Sequence, residues 1–507
     1  MTDIRGDEND NQLPRTGQSN AGDDRIWGLE GDDYINGGAG DDELFGGSGA
    51  DELFGGAGVD TLSYWDNRSA GVTINLNALT ASGGEASGDI IHGDIENVIG
   101  TDYTDRLTGS AADNFLNGGN GWGNDILSGF GGNDVLWGSL GHDQLYGGTG
   151  NDTLKGYQGN NQLYGGDGND TLEANDGTDI LDGGAGNDIL RANTHSTTAD
   201  ADTLRGGAGA DEMDGGAGID TAYYSEGSVG VTVDLFGVDG VGIGHGGNAE
   251  GDRLTNIENL VGSQGNDHLT GNTFANTLDG GAGSDVLSGG DSSDVLRGGA
   301  GADRLDGEFG SDTASYYGGT TGVLVSLASG IGSGGEAQGD TLAGIENLTG
   351  SQGSDSLYGN ASANVLQGWN GNDLLVGRAG KDTLTGGAGS LPGHRPRRQR
   401  DRGQCRPDHR LQPRPGRPHR PVGHRRQHRR GRQPGLPLPR HRRLHPPCWR
   451  DALLRQRLGH LRLRRRQWRR RLRFQHRPLR PPDPGRRGLH AVAETRRAGL
   501  RKAGPHP

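Results

Sequence analysis

Between Gly37 and Ser63 the chain reads GGAGDDELFGGSGADELFGGAGVDTLS, three units of nine with the pattern G-G-x-G-x-D-x-L-x. The sixth-position aspartates here are Asp33, Asp42, Asp51 and Asp60, preceded by Asp24, and the eighth position carries Ile26, Ile35, Leu44, Leu53 and Leu62. A second run places Asp125, Asp134, Asp143, Asp152, Asp170, Asp179 and Asp188 in step, with Asn161 in the vacant slot, and continues after a five-residue slip with Asp202, Asp211 and Asp220. A third run holds Asp267, Asp285, Asp294, Asp303 and Asp312, with Asn276 in step; a fourth holds Asp355, Asp373 and Asp382, with Asn364 in step. A fixed period this short constrains the fold before any other property. One unit is too small to bury its own apolar residue, so units must stack on one another.

Each half of the unit has a physical reading. Closely spaced glycines adopt positive φ without steric cost, so the first six residues form a tight turn with inward carbonyls. The x-L-x triplet is then a very short strand whose central side chain faces the interior. Two units make one coil, and roughly 20 coils stacked at about 4.8 Å by parallel pairing form a rod roughly 100 Å long. Turns 18 residues apart fall on the same side, Asp33 above Asp51 and Asp134 above Asp152. Such a file of carboxylates repels itself unless a hard divalent cation sits between turns. The demand for many oxygens in flexible geometry favours Ca²⁺ over Mg²⁺.

Composition separates the repeats from the C-terminal region. The formal net charge of −16 covers two populations, because residues 391–507 hold 37 Lys+Arg and only 5 Asp+Glu. The remainder is strongly acidic, which opposes compaction unless cations are recruited. With 100 glycines, 30% hydrophobic and 5% aromatic residues, the chain cannot fill an ordinary core, and without its period it would read as disordered. Both cysteines, Cys405 and Cys448, come after residue 390, so the repeats are no disulfide scaffold. The opening MTDIRGDENDNQLP has no apolar stretch, so no signal peptide is expected, and no apolar run reaches membrane-spanning length.

The units resemble the RTX (hemolysin-type) calcium-binding nonapeptide family across most of residues 19–389. The resemblance implies an all-β fold, a right-handed parallel β-roll, with several Ca²⁺ ions held between stacked turns by the sixth-position aspartates and turn carbonyls. It also implies an extracellular protein exported by a type I secretion apparatus through an uncleaved C-terminal signal. Asn161, Asn276 and Asn364 depart from the pattern; they keep an oxygen but lose the charge, and weaker sites are expected there. The division expected is a lead-in (1–18), repeats (19–63, 101–222, 263–314 and 351–389), inserted β segments (64–100, 223–262 and 315–350) and a basic tail (390–507).

The three inserted segments resemble one another. GVTINL, GVTVDL and GVLVSL alternate as half-buried strands do, and each precedes one of GDIENVIG, TNIENLVG and AGIENLTG. Asp60 and Asp105, Asp220 and Asp267, and Asp312 and Asp355 lie 45, 47 and 43 residues apart, near five units of nine, so the roll is expected to continue through longer turns. Glu96, Glu258 and Glu346 recur in phase, and a capping or pairing carboxylate is favoured over a catalytic one. No H-E-x-x-H helix or G-x-S-x-G elbow occurs before residue 390, and His92, His142, His195, His245 and His268 are widely spaced, so no enzyme is expected.

After Asp382 the next aspartate is due at Leu391, where Arg, His and Pro take over. A genuine basic tail would bind phosphate backbones through charge alone, with no specific nucleic acid as partner. The favoured reading is a slip of reading frame, since GGC and GAC read one base out give CGG and CGA, both Arg. LRRRQWRRRLRFQH (463–476) has synonymous codons that, read one base later, spell YGDVNGDGVSDFSI. Either way the region after about residue 390 is expected to be disordered, and a slipped frame would remove the export signal. Two alternatives accompany the calcium-binding exoprotein: an adhesive or structural spacer with a cell-surface or polysaccharide ligand, and the repeat module of an extracellular enzyme such as a protease or epimerase.

Overall fold

A computed structural model describes residues 2–14, 21–67, 69–193, 199–237 and 240–389. The tail expected to be disordered, residues 390–507, lies outside them, as does His195. The described residues are nearly all strand, and helical turns such as Gly84–Ala86, Gly247–Ala249 and Gly335–Ala337 are three residues long.

Strands pair in parallel with the strand one coil away, and the register repeats the period of the sequence. Thr153–Gln158 pairs with Thr171–Asp176, placing Leu154 beside Leu172, while Gln144–Thr149 pairs with Gln162–Asp167, placing Leu145 beside Leu163. Successive units alternate between two faces, giving sheets of 22 and 16 strands and, near the start of the chain, a smaller sheet of four. This is a parallel β-roll. Between the faces runs one ladder of eighth-position side chains, Leu127, Leu136, Leu145, Leu154, Leu163 and Leu172 among them, each with no exposed surface. Each fully buried Leu contributes about 1.5–3 kcal/mol.

Two features differ from the expectation drawn from the triplet. In much of the first two runs the strands are six residues long, because positions 1–3 of one turn also lie in register with those of the next coil, as Gly148 with Gly166. In the third and fourth runs most are the expected triplets, as Val286–Ser288 and Val365–Gln367. The inserted segments do continue the roll, but through an antiparallel step. Thr232–Asp234 pairs in parallel with His268–Thr270 on one side and antiparallel with Gly242–His245 on the other. Gly242–His245 then pairs antiparallel with Arg253–Thr255, which rejoins the parallel ladder at Glu212–Asp214. Leu324–Ser326 and Ile331–Ser333 repeat this arrangement, and Thr73–Asn75 and Thr80–Ser82 form the corresponding hairpin of the first segment.

Candidate metal centre

Every sixth-position carboxylate of the four runs lies on a turn of the roll, and nearly all are buried. Asp51, Asp60, Asp179, Asp220 and Asp312 have no exposed surface, whereas Asp382, at the end of the described repeats, is half-buried. One oxygen of each carboxylate has a structural task. Oδ1 of Asp152 accepts the N–H of Asp134 at 2.7 Å, Oδ1 of Asp170 accepts that of Asp152 at 2.8 Å, and Oδ1 of Asp188 accepts that of Asp170 at 2.8 Å. The same stitch joins Asp24 to Asp42, Asp125 to Asp143, Asp285 to Asp303 and Asp355 to Asp373.

The other oxygen has no such task. Oδ2 of Asp33, Asp42, Asp51, Asp60, Asp134, Asp143, Asp152, Asp170, Asp179, Asp188, Asp211, Asp220, Asp285, Asp294, Asp303, Asp312 and Asp373 is buried with no hydrogen-bond donor. A buried, ionised oxygen without a partner is strongly unfavourable. Burial accordingly pushes the carboxyls up: Asp179 to about 8, Asp51, Asp134, Asp170 and Asp285 to about 7, and Asp188 to about 6. Neighbouring carboxylates add to the shift, Asp202 on Asp179 and Asp303 on Asp285.

Beside many of these Oδ2 atoms lies a backbone carbonyl oxygen of the neighbouring coil. A methyl group on Gly147 would overlap Oδ2 of Asp152 and lie against the carbonyl oxygen of Gly165. A methyl on Gly150 would overlap the carbonyl oxygen of Gly132, and Gly150 has φ +127°. Glycine is needed at these places for the close approach as well as the conformation. Among the described residues no three His, Cys, Asp or Glu side chains converge. A cation here would have one carboxylate oxygen from a turn and would complete its shell with backbone carbonyls. That donor set is hard and all oxygen, and it fits calcium.

The turns fall into two kinds, set by backbone at the second position. Where Oδ2 lacks a donor, residue 2 of the turn has positive φ, even when it is Leu29 (87°), Phe130 (82°), Ser139 (78°), Asn175 (73°), Glu308 (59°) or Trp369 (62°). Six turns lack this feature, and in them the N–H of residue 2 points inward. Thr101 donates to Asp105 Oδ2 at 2.6 Å, Ser263 to Asp267 Oδ2 at 2.8 Å and Ser351 to Asp355 Oδ2 at 2.9 Å. Ser110, Asn272 and Asn360 likewise donate to Oδ1 of Asn114, Asn276 and Asn364. Asp267 and Asp355 thus differ from the other carboxylates of the repeat, their second oxygen already satisfied. Asp202 is satisfied by a side chain, its Oδ2 accepting from Asn193 Nδ2 at 2.6 Å.

The asparagines depart from the expectation of weakened oxygen ligands. Nδ2 of Asn276 donates to the Glu258 carbonyl at 2.6 Å, Nδ2 of Asn364 to the Glu346 carbonyl at 2.7 Å, and Nδ2 of Asn161 to the Gly159 carbonyl at 2.9 Å. With Oδ1 also engaged, both polar groups of each of these amides already have partners within the protein. Glu96, Glu258 and Glu346 are capping carboxylates, as their phase suggested: Oε2 accepts the N–H of Asp60, Asp220 and Asp312 at 2.9, 3.0 and 3.0 Å.

Sequence reasoning passed over one further set. Oδ1 of Asp89, Asp252 and Asp340 accepts the N–H of Asp51, Asp211 and Asp303, and their Oδ2 accepts a buried tyrosine hydroxyl: Tyr64 at 2.8 Å, Tyr224 at 3.0 Å and Tyr316 at 3.0 Å. Burial pushes the tyrosines well above their ordinary range, so they stay donors. The signal was present as D-T-x-x-Y, read at Asp60–Tyr64, Asp220–Tyr224 and Asp312–Tyr316.

Comparison with known proteins agrees with this geometry. No curated protein matches the chain. The family model described as the RTX calcium-binding nonapeptide repeat (4 copies) matches residues 17–44, 27–62, 99–122, 120–154, 155–190, 192–222, 261–296, 279–314, 340–375 and 370–390. These matches cover more than half of the sequence, and the repeats they describe are calcium-binding. The chain belongs to the RTX calcium-binding nonapeptide repeat family.

Proposed function

We propose that this chain is a secreted exoprotein whose β-roll folds by taking up Ca²⁺, with the sixth-position aspartates as its carboxylate ligands, and that it acts by binding without catalysis. The observation that carries this reading is the file of buried Oδ2 atoms without donors, many of them beside a turn carbonyl, as Asp152 beside that of Gly165. When bound, calcium supplies the positive charge those oxygens lack. The chain's own groups do the rest: Oδ1 stitches coil to coil, positive-φ turns hold carbonyls inward, and the leucine ladder excludes water. At tenfold excess over Kd each site adds about 1.4 kcal/mol, and contributions sum across neighbouring coils.

This coupling suits export. At cytosolic calcium the acidic repeats stay unfolded, and at the millimolar calcium outside a cell weak extracellular-type sites fill. A type I apparatus is the export partner in this reading. No helix of the described residues is long and apolar enough to cross a membrane. The test is a calcium titration monitored by circular dichroism. A cooperative change from coil to strand is expected, and an unchanged spectrum through tens of millimolar calcium overturns the reading.

A further inference from the structure

The two kinds of turn are not scattered. Apart from Asn161 and Asp202, those closed by protein donors occur, each set with one capping glutamate, in groups of four, once per inserted segment, always in the same order. In the second segment the order is Asp252, closed by Tyr224; Glu258, whose side chain caps Asp220; Asp267, closed by Ser263; and Asn276, closed by Asn272 and the Glu258 carbonyl. The first and third segments repeat it, with Asp89 and Asp340 leading and Asn114 and Asn364 ending the group.

We infer that these groups are metal-independent clamps that divide the calcium file into four blocks, at residues 24–60, 125–220, 285–312 and 373–382. The inference rests on the calcium-binding function and narrows it, because it removes Asp267 and Asp355 from the ligand set. The physical reason is the polarity of the turn. With positive φ at position 2, no N–H reaches Oδ2, and a cation is the remaining way to satisfy it. Without positive φ, the position-2 N–H fills Oδ2, and Ser263 Oγ adds a second bond to Asp267 at 2.7 Å. Asparagine is required at the end of each group for the same reason. The preceding turn presents the Glu258 carbonyl to it, so an amide can pair there and a carboxylate cannot.

The clamps also carry apolar material that the blocks lack. Tyr224, Val231, Val233, Leu235, Ala249 and Ile257 are all buried within the second segment, where a block has one buried Leu per unit. Each clamp is thereby a place where coils stay in register when calcium is scarce, and from which a block zips when calcium arrives.

The test compares bound calcium per full-length chain, by equilibrium dialysis, for wild type, Asp285→Asn and Asp267→Asn, neighbours in one file. Asp285→Asn is expected to bind about one calcium fewer, and Asp267→Asn the wild-type number. A loss in Asp267→Asn equal to that in Asp285→Asn, or no loss in either while wild type binds calcium, overturns the clamps. A wild type that binds none overturns the calcium-binding function itself, and the clamps with it. Should a variant fail to fold, hydrogen exchange of the wild type in chelator decides. The amides of Val231, Ser263 and Asn272 are expected to stay protected while those of Asp134, Asp152 and Asp170 exchange freely. Uniform loss of protection across both sets contradicts the inference.

Discussion

The run from Asp125 to Asp220 and the segment from Tyr224 to Asn276 share one ladder, one stitch and one fold, yet they solve the same electrostatic problem differently. In the run, Oδ2 of Asp134, Asp152, Asp170 and Asp188 is buried without a donor. In the segment, Tyr224, Ser263 and Asn272 supply donors of their own. The run has exchanged self-sufficiency for a demand on its surroundings, and the segment has kept self-sufficiency by devoting residues to it. Burial raises the carboxyls of both kinds of turn, and at Asp267 the N–H groups of Val231 and Ser263 and the Ser263 hydroxyl oppose the rise.

The largest expected effect comes from removing calcium. Chelation should abolish most strand signal by circular dichroism, the loss falling on the blocks and sparing the clamps. Next is Gly150→Ala in a block turn, where φ is +127° and the added methyl meets the Gly132 carbonyl. A loss of about 2–4 kcal/mol is expected in calcium, read as a raised calcium midpoint. Tyr224→Phe leaves Oδ2 of Asp252 without its donor and should cost about 1–3 kcal/mol. Because that contact needs no metal, its effect on thermal unfolding should be the same size at low and high calcium, unlike that of Gly150→Ala.

Acidity sharpens the comparison further. The block carboxyls have folded values raised above the ordinary 3.8, to about 7 for Asp134 and Asp170 and about 8 for Asp179. Folding then favours the protonated form. The stability this gives is complete below the ordinary value and is lost progressively as pH rises from about 4 through the folded values of about 7 to 8. In chelator, acidification from about pH 8 to about pH 4 should therefore restore strand signal to the blocks, protons standing in for cations. In calcium, the apparent affinity should fall over the same window. The smallest effect belongs to surface pairs such as Arg25–Glu43 at 2.9 Å, with Arg25 47% exposed. Glu43→Gln should change stability by less than about 1 kcal/mol in either medium.

Much of this was legible in the residues. The period of nine determined which side chains line the core, and Leu127 through Leu172 occupy the positions it indicates. Aspartates two residues before each core residue identified the file. Less visible was the state of each oxygen, because it depends on φ at position 2, and residue type does not settle φ there. Leu29, Phe130 and Trp369 adopt positive φ that their side chains disfavour, since the coils on either side impose the turn. Asp267 and Asp285 therefore look alike in the sequence and differ in the fold. The antiparallel step was hidden for another reason. GVTVDL alternates as any half-buried strand does, and nothing in it distinguishes a parallel partner from an antiparallel one.

The most direct measurement is a crystal structure of the chain grown in calcium, with anomalous scattering to locate the ions. The account predicts peaks beside Oδ2 of Asp134, Asp152, Asp170 and Asp285, and none beside Asp105, Asp267 or Asp355. Peaks of equal height in both sets, or none beside the first, would contradict it.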